Sequence, residues 1–295
     1  MNNYNLKEHI LHGSGLFPVG VYCKIFEEHA ISICPLHWHK EIEFFYVIKG
    51  GFKVQIDEKT RNIYEGEGAV INTASLHSIL PIADEECTFL AITISPDIFW
   101  DSKNEIIMNK YIRPMVQNQL VFENFLSPST CWMSEVLDLI RQTYECETNM
   151  VFGHELFVKS NILKILGLCL GHATYLTMPV KNNKIALVKL AINYIHSHYK
   201  IDFSLGEMAE AVHVSREYLC KIFKDVTCES TVTFLNRYRV LKSLEQLEAA
   251  EVKISEVALE SGFHHISYFN KVFLEIMGCS PTEYRNKYSA HGAVR

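Results

Sequence analysis

The spacing of apolar positions changes twice along the chain. From residue 19 to about 95 come short runs of β-branched and aromatic residues: VGVYCKIF, EIEFFYVIKG, GFKVQID, RNIYEG, GAVINT and TFLAITI. Several alternate polar and apolar, and Lys49-Gly50-Gly51, Asp57-Glu58 and Gly66-Glu67-Gly68 separate them. Many short strands at this spacing predict an antiparallel barrel or sandwich. From Cys131 the period becomes helical. CWMSEVLDLIRQTYECE places Trp132, Val136, Leu139, Ile140 and Thr143 on one face. GHELFVKSNILKILGLCLGHATYL is a second helix, apolar over most of its circumference. Such a helix must be covered on several sides, by the barrel or by a second subunit. TMPVKNNK, 177–184, has no apolar period and reads as a linker. Beyond it the pattern is helical to about Tyr288. The expected organisation is therefore α+β: a barrel over 1–130, a helical and dimerising segment over 131–176, the linker, and an all-α domain over 185–295.

The all-α part contains a repeat. In SLGEMAEAVHVSREYLCKIFKDVTCES and KISEVALESGFHHISYFNKVFLEIMGCS, Leu205 and Ile254, Met208 and Val257, and Ala209 and Ala258 match at an offset of 49. Phe223 and Phe273, and Cys228 and Gly278, match at 50, so one residue is inserted near the turn. Each unit reads as a short helix, a tight turn and a longer helix. The small alanines let the helices approach, and the phenylalanines fill the space between them. Ser204 with Glu207 and Ser280 with Glu283 have capping-box spacing, and Pro281 sits at a first helical position. Gly262 suits the left-handed end of the first helix of the second unit. This is the pattern of a helix-turn-helix, whose second helix enters the major groove of DNA; two hairpins that only pack together are the plainer alternative.

The outward groups of the longer helices favour DNA. Arg216, Glu217, Cys220, Lys221 and Lys224 face out in the first unit, with Ser215 at its start; Leu219, Ile222 and Phe223 face in. In the second, His265, Ser267, Asn270 and Lys271 face out, beside His264 and Ile266, while Phe269, Val272 and Phe273 face in. Asn reads adenine bidentately, and Lys reaches guanine or phosphate. TFLNRYRVLKSLEQLEAAEVK between the units is long enough for one helix. It would hold the two recognition helices about 34 Å apart, one turn of DNA. Its Arg237, Arg239 and Lys242 are candidates for backbone phosphates, or for ordinary solvated helix charge.

Composition narrows the partners. The chain is 48% hydrophobic and 21% charged, which is globular. Its net charge of −6 lies wholly in residues 1–184, with 15 basic against 21 acidic groups; residues 185–295 hold 13 of each. A neutral C-terminal part is not the basic footprint of a generic nucleic-acid binder, so the argument rests on where the charges lie. Nine scattered cysteines without a C-x-x-C read as small buried hydrophobes in a reducing compartment. MNNYNLKEHILHGSG lacks the apolar core of a signal peptide, and Ile162–Met178 is too short and polar for a bilayer span, so a soluble cytoplasmic protein without membrane contact is expected.

MAEAVHVSREYLCKIFK, FLNRYRVLKSLEQL and ISEVALESGFHHISYFNKVFLEIMGCSPTEYR resemble the DNA-binding domain of the AraC/XylS family of transcription regulators. The resemblance implies seven helices, two helix-turn-helix motifs and sequence-specific binding to double-stranded promoter DNA, where RNA polymerase is a further partner. Three departures carry consequences. Cys228 stands where Gly is usual, so the bend there is expected to differ. Ile266 stands where a polar residue is common, which suggests apolar contact with a thymine methyl. Lys221 and Lys271 stand where Arg is frequent, which favours phosphate contact.

PLHWHKEIEFFYVIKG holds His37, His39 and Glu43, and alternation would put His37, His39, Glu41 and Glu43 on one side of a strand. GEGAVINTASLH adds His77. Three His and one Glu suit a divalent metal. The stretch resembles the two cupin motifs, with Asn72 and Ala74 where Pro and Gly are usual. That resemblance implies a small double-stranded barrel with an inner pocket, also the common sensor half of AraC-type regulators. The four residues are open to three readings: metal ligands, hydrogen-bonding groups of an effector pocket, or a satisfied polar cluster. Trp38, Phe44 and Tyr46 are candidate pocket walls, with core packing the more ordinary reading of Phe44 and Tyr46. The leading expectation is a homodimeric regulator, an activator, answering to a sugar or related metabolite. The alternatives are a metal-dependent cupin enzyme with a helical appendage, and a DNA-binding protein whose barrel only dimerises.

Overall fold

The computed structural model describes residues 17–26, 34–82, 86–99, 105–175, 183–248 and 252–289. Most of the linker expected at 177–184 and the N-terminal stretch read for a signal peptide lie outside the described residues. The chain divides into two compact units, meeting in sequence between Lys181 and Asn182.

In the N-terminal unit the alternating runs become strands β1 (Val19–Phe26), β2 (Cys34–His37), β3 (Ile42–Lys49), β4 (Gly51–Ile56), β5 (Lys59–Tyr64), β6 (Gly68–Ile71), β7 (His77–Pro81) and β8 (Cys87–Ile94). The short helices α1 (Glu105–Ile107) and α2 (Arg113–Val116) follow, joined by a π-helical turn, then strands β9 (Leu120–Val121) and β10 (Phe125–Leu126). Two antiparallel sheets result, in the orders β1-β8-β3-β6-β10 and β2-β7-β4-β5. Alternation along β3 gives this cupin-like barrel its two apolar layers. Phe45 and Val47 point between the sheets, where they join Phe26, Phe52, Val54 and Phe89. The rings of Phe45, Phe52 and Phe89 lie 4.7–5.7 Å apart and are almost fully buried. Ile42 and Phe44 point the other way, with Val70, Ile92 and Ile94, under the helices α3 (Cys131–Asn149) and α4 (His154–Gly171). Val136, Leu139, Ile140 and Thr143 are buried on α3, as their spacing predicts, with Leu137 beside them, whereas Trp132 of the predicted face is only half-buried and stacks on His172. A last strand, β11 (Thr174–Tyr175), pairs with β9.

Seven helices make up the described part of the C-terminal unit: α5 (Asn183–His198), α6 (Leu205–Ala211), α7 (Arg216–Thr227), α8 (Thr231–Glu248), α9 (Ile254–Glu260), α10 (Ile266–Met277) and α11 (Pro281–Ser289). The repeat is realised element for element. α6 and α9 have seven residues each, and α7 and α10 twelve each. The Ser204–Glu207 capping box forms in both directions, and so does Ser280–Glu283. Those hydrogen bonds hold the carboxyls of Glu207 and Glu283 below their ordinary value. Ala209 and Ala258 are buried between helices, and Phe223 and Phe273 are fully enclosed. α8, at 18 residues, is a rod about 27 Å long. On α5, His196 stacks on Tyr238 at 4.2 Å. Burial, helped by Lys242, lowers its pKa to about 3, which keeps this half-buried imidazole neutral.

The bend after α7 does not differ from its counterpart, contrary to expectation. Cys228 adopts φ 60°, ψ 10°, and Gly278 adopts φ 68°, ψ −1°; each donates its backbone N–H four residues back, to Lys224 and to Leu274. The helix end requires this left-handed conformation whatever residue supplies it, and Cys228 bears the Cβ strain that Gly278 avoids. Cys228→Gly is therefore expected to stabilise the C-terminal unit by about 1 kcal/mol, read as a higher urea midpoint by far-UV circular dichroism.

Candidate functional site

One end of the barrel brings together the four residues singled out by spacing. They do not share a strand. His37 ends β2 in one sheet, Glu43 lies on β3 in the other, and the bend at 38–41 carries the chain across with His39 on it. His77 opens β7 directly opposite His37. Ligand atoms of His37, His39, Glu43 and His77 all lie within 4.8 Å of one another, and Glu41 is not among them. The His37 and His77 rings are 4.1 Å apart and those of His39 and His77 4.9 Å. His39, Glu43 and His77 are buried, and His37 is half-buried.

The backbone decides which nitrogen of each imidazole faces inward. His39 Nδ1 donates to the Glu41 carbonyl at 3.1 Å, and His77 Nδ1 to that of Ser75 at 2.9 Å. A carbonyl only accepts, so both Nδ1 atoms carry the proton. Both Nε2 atoms then point at Glu43 Oε2, at 3.0 Å from His39 and 3.3 Å from His77. His77 Nε2 is fully enclosed, and the carboxylate of Glu43 is the polar group it faces. Burial would raise the Glu43 carboxyl, but hydrogen bonds from His39 and His77 in their protonated forms, and the charge of those rings, outweigh it and hold it well below the usual range. The arrangement is electrostatically complete only with positive charge between these atoms, supplied by imidazolium protons or by a cation. Ala74, in the left-handed region at φ 56°, donates its N–H to the His39 carbonyl at 2.8 Å and so ties the loop before β7 to the bend. Trp38 is buried beside the cluster. Tyr46 is not part of it: three residues beyond Glu43 on β3, its side chain takes the opposite face and packs against the helical layer.

In the C-terminal unit, α7 and α10 each bury one stripe: Leu219, Ile222, Phe223 and Val226, and Phe269, Val272, Phe273 and Met277. Arg216, Glu217, Lys221 and Lys224 are exposed on α7, and Cys220 is half-buried. Ser215 is exposed, with its hydroxyl capping α7 by accepting from the Tyr218 N–H at 3.2 Å. His264, His265, Ile266, Ser267, Asn270 and Lys271 are all exposed at the start of α10 or along it. His264 pairs with Asp202 at 2.8 Å.

Two family models match the chain. The one described as an AraC-like ligand binding domain takes residues 18–131, and the one described as a helix-turn-helix domain takes residues 208–287. An uncharacterized HTH-type transcriptional regulator of Bacillus subtilis, YdeC, is 26% identical over 97% of each chain. The chain belongs to the AraC family of transcription regulators. Regulatory protein PocR of Salmonella typhimurium is 32% identical over 34% of this chain and 33% of its own length. Among solved structures, ToxT of Vibrio cholerae aligns over 92% of this chain and 99% of its own, at 18% identity and a TM-score of 0.43. The two family matches and the regulator relatives make this AraC-type protein a DNA-binding regulator with a ligand-binding domain, and the reading as a cupin enzyme is set aside.

Arg239 of this regulator is not a phosphate contact. It is buried within the unit, where Nε donates to the Tyr199 carbonyl at 2.7 Å and Nη2 to that of Ile201 at 3.2 Å. Its guanidinium also lies over the Phe263 ring. Gly262, at φ 91°, packs so closely on Tyr199 O and Arg239 that no Cβ fits. Arg237 is held by an ion pair with Glu229, which leaves it less available than a solvated helix charge. Conversely, Tyr218 and Tyr268 are exposed on α7 and α10 and were not singled out. They stand 50 residues apart, so the repeat itself marks them as equivalent. Asn236 Nδ2 donates to Tyr268 Oη at 2.7 Å, linking α8 to α10. Among the described residues, no helix is long and apolar enough to cross a membrane.

Proposed function

We propose that this regulator is an activator, that it works as a homodimer joined through residues 131–176, and that its ligand sits at His37, His39, Glu43 and His77. In this reading α7 and α10 enter successive major grooves of promoter DNA. Ser215, Arg216, Glu217, Cys220, Lys221 and Lys224 act from the first and His264, His265, Ile266, Ser267, Asn270 and Lys271 from the second; RNA polymerase is the further partner at the promoter.

A divalent transition-metal ion suits the ligand site best. One observation carries this: two imidazoles whose Nδ1 protons are taken by backbone carbonyls aim their Nε2 atoms at one carboxylate oxygen inside the protein. Backbone carbonyls that fix the tautomer of a ligating histidine are the usual outer partners of a metal site. Three imidazoles and a carboxylate are borderline donors suited to zinc, iron or nickel. A sugar or related metabolite is the second reading, favoured by half-buried His37 and neighbouring Trp38 at the same end of the barrel. The phenylalanines that fill the space between the sheets favour the more compact ligand. Bound there, a cation would neutralise Glu43 and lock the bend at 38–41 to the start of β7. It would act on DNA binding only through a difference in affinity between two states of the protein.

The test is titration of chelator-treated protein with Zn²⁺ in a calorimeter and with Co²⁺ by visible absorption. One ion per chain is expected, with Glu43→Gln weakening uptake at least tenfold. A Co²⁺ spectrum unchanged from the free ion, with no heat from Zn²⁺, overturns the metal; a rise in melting temperature with a sugar instead would support the second reading. Reporter output from a bound promoter should rise with ligand, and a fall would reverse the assigned sense.

A further inference from the structure

The loop between β6 and β7, residues 72–76, holds two of the four site residues. The Ser75 carbonyl accepts from His77 Nδ1 at 2.9 Å, and the Ala74 N–H donates to the His39 carbonyl at 2.8 Å. The far end of the loop is anchored to the turn after β4. Leu76 N–H donates to Asp57 Oδ1 at 2.9 Å, and Asp57 N–H donates to the Leu76 carbonyl at 2.6 Å. The near end is tied away from the site, through Asn72. Asn72 Oδ1 accepts from the Thr73 N–H at 2.8 Å. Asn72 Nδ2 donates to the Met115 carbonyl and to Asn118 Oδ1, each at 3.3 Å. A proline, usual at this position of the motif that the stretch resembles, has no side-chain amide and makes none of these bonds. Both acceptors lie at the end of α2. Met115 is fully enclosed, and Asn118 takes the left-handed conformation, at φ 55°, two residues before β9.

We propose that Asn72 carries the state of the barrel site to the chain that leaves the N-terminal unit. This rests on the reading that places the ligand at His37, His39, Glu43 and His77. Beyond Asn118, Leu120 and Val121 of β9 pair with Tyr175 and Thr174 of β11. Tyr175 Oη also donates to Gln119 Oε1 at 3.4 Å. β11 is the last described element before the two units join between Lys181 and Asn182. A short series of polar contacts therefore runs from His77 and His39, through the loop and Asn72, to the exit of the unit. The strand before the loop is held separately. β6 pairs with β10, and Asn124 Nδ2 donates to the Val70 carbonyl at 3.1 Å. The loop is thus the segment between two anchored ends that answers to the site. Ligand held between the Nε2 atoms and Glu43 sets where His77 and the His39 bend lie, and through Ser75 and Ala74 it sets where the loop lies. Bonds of 3.3 Å stand at the long end of the useful range, so a shift of a few tenths of an ångström makes or breaks them. Asn72 then has two arrangements, held or released, which coupling between distant sites requires.

The test is amide hydrogen exchange of the full chain with and without Zn²⁺, on wild type and on the double variant Asn72→Asp with Asn118→Gly. The first change keeps the acceptor for the Thr73 N–H and removes the donor. The second keeps the left-handed turn and removes the other amide. In wild type, Zn²⁺ is expected to slow exchange about threefold or more, both in residues 72–77 and in the β9–β11 pair. In the variant, calorimetry should still count one ion per chain and residues 72–77 should still be protected, while β9 and β11 exchange as they do without Zn²⁺. Zn²⁺ should shift affinity for a selected operator about fivefold or more in wild type and less than about twofold in the variant. A variant whose β9 and β11 respond like wild type overturns the role of Asn72 and leaves the ligand site standing. A wild type that takes up Zn²⁺ without protecting β9 and β11 does the same. A wild type that takes up no Zn²⁺ overturns the metal reading and this route with it.

Discussion

Arg239→Ala is expected to destabilise the C-terminal unit by about 3 kcal/mol. The guanidinium donates to two carbonyls, of Tyr199 and Ile201, from a position enclosed by α8, the end of α5 and the turn at Gly262. Hydrogen bonds from a charged donor contribute about 1.5–3 kcal/mol each, and truncation also leaves both carbonyls unpaired and opens a gap over the Phe263 ring. Amide hydrogen exchange across α5, α8 and α9 is the direct measurement, since a whole-chain melt mixes the two units. Arg239→Lys should recover little, because one ammonium on an unbranched stem cannot bond both carbonyls at their spacing. A phosphate contact would behave in the opposite way. The variant would be as protected from exchange as wild type, and its DNA affinity would depend on salt with a slope lower by about one.

Asn270→Ala is expected to lower affinity for the specific site 10- to 100-fold, about 1–3 kcal/mol, while affinity for unrelated duplex stays within twofold. Asn270 is exposed on α10, at the edge of the buried stripe of Phe269, Val272, Phe273 and Met277 that anchors the helix. An amide reads adenine bidentately and gains little from phosphate. Lys271→Ala is the contrasting control. Its ammonium is 3.8 Å from Glu275, so it is only loosely held by its own helix. Its loss should weaken all duplexes alike and reduce the salt slope by about one. Equal loss on both DNAs for Asn270→Ala would remove it from base reading. A binding curve on a selected operator and on scrambled DNA, at two salt concentrations, separates these outcomes.

Whatever depends on neighbours within a few residues was legible from the letters alone. Alternation marked the strands of the barrel, the helical period marked α3 and the helices beyond it, and an offset of 49–50 exposed the duplicated helix-turn-helix with its capping boxes and its inward phenylalanines. The four residues of the barrel site were legible too, because each carries side-chain chemistry that is rarely enclosed without a partner.

Tertiary structure alone decided how those pieces face one another. His37 and Glu43 read as one strand, but a bend resets the alternation at 38–41 and sends them into different sheets that meet again at the site. Arg239 has the spelling of a surface charge on a long helix, and becomes an interior anchor because two carbonyls about 40 residues earlier in the chain are brought within its reach. Cys228 takes a glycine's conformation because the helix end demands that angle from any residue placed there. Periodicity is a property of neighbours in sequence; burial and partnership belong to neighbours in space, and a chain acquires those only when it closes on itself.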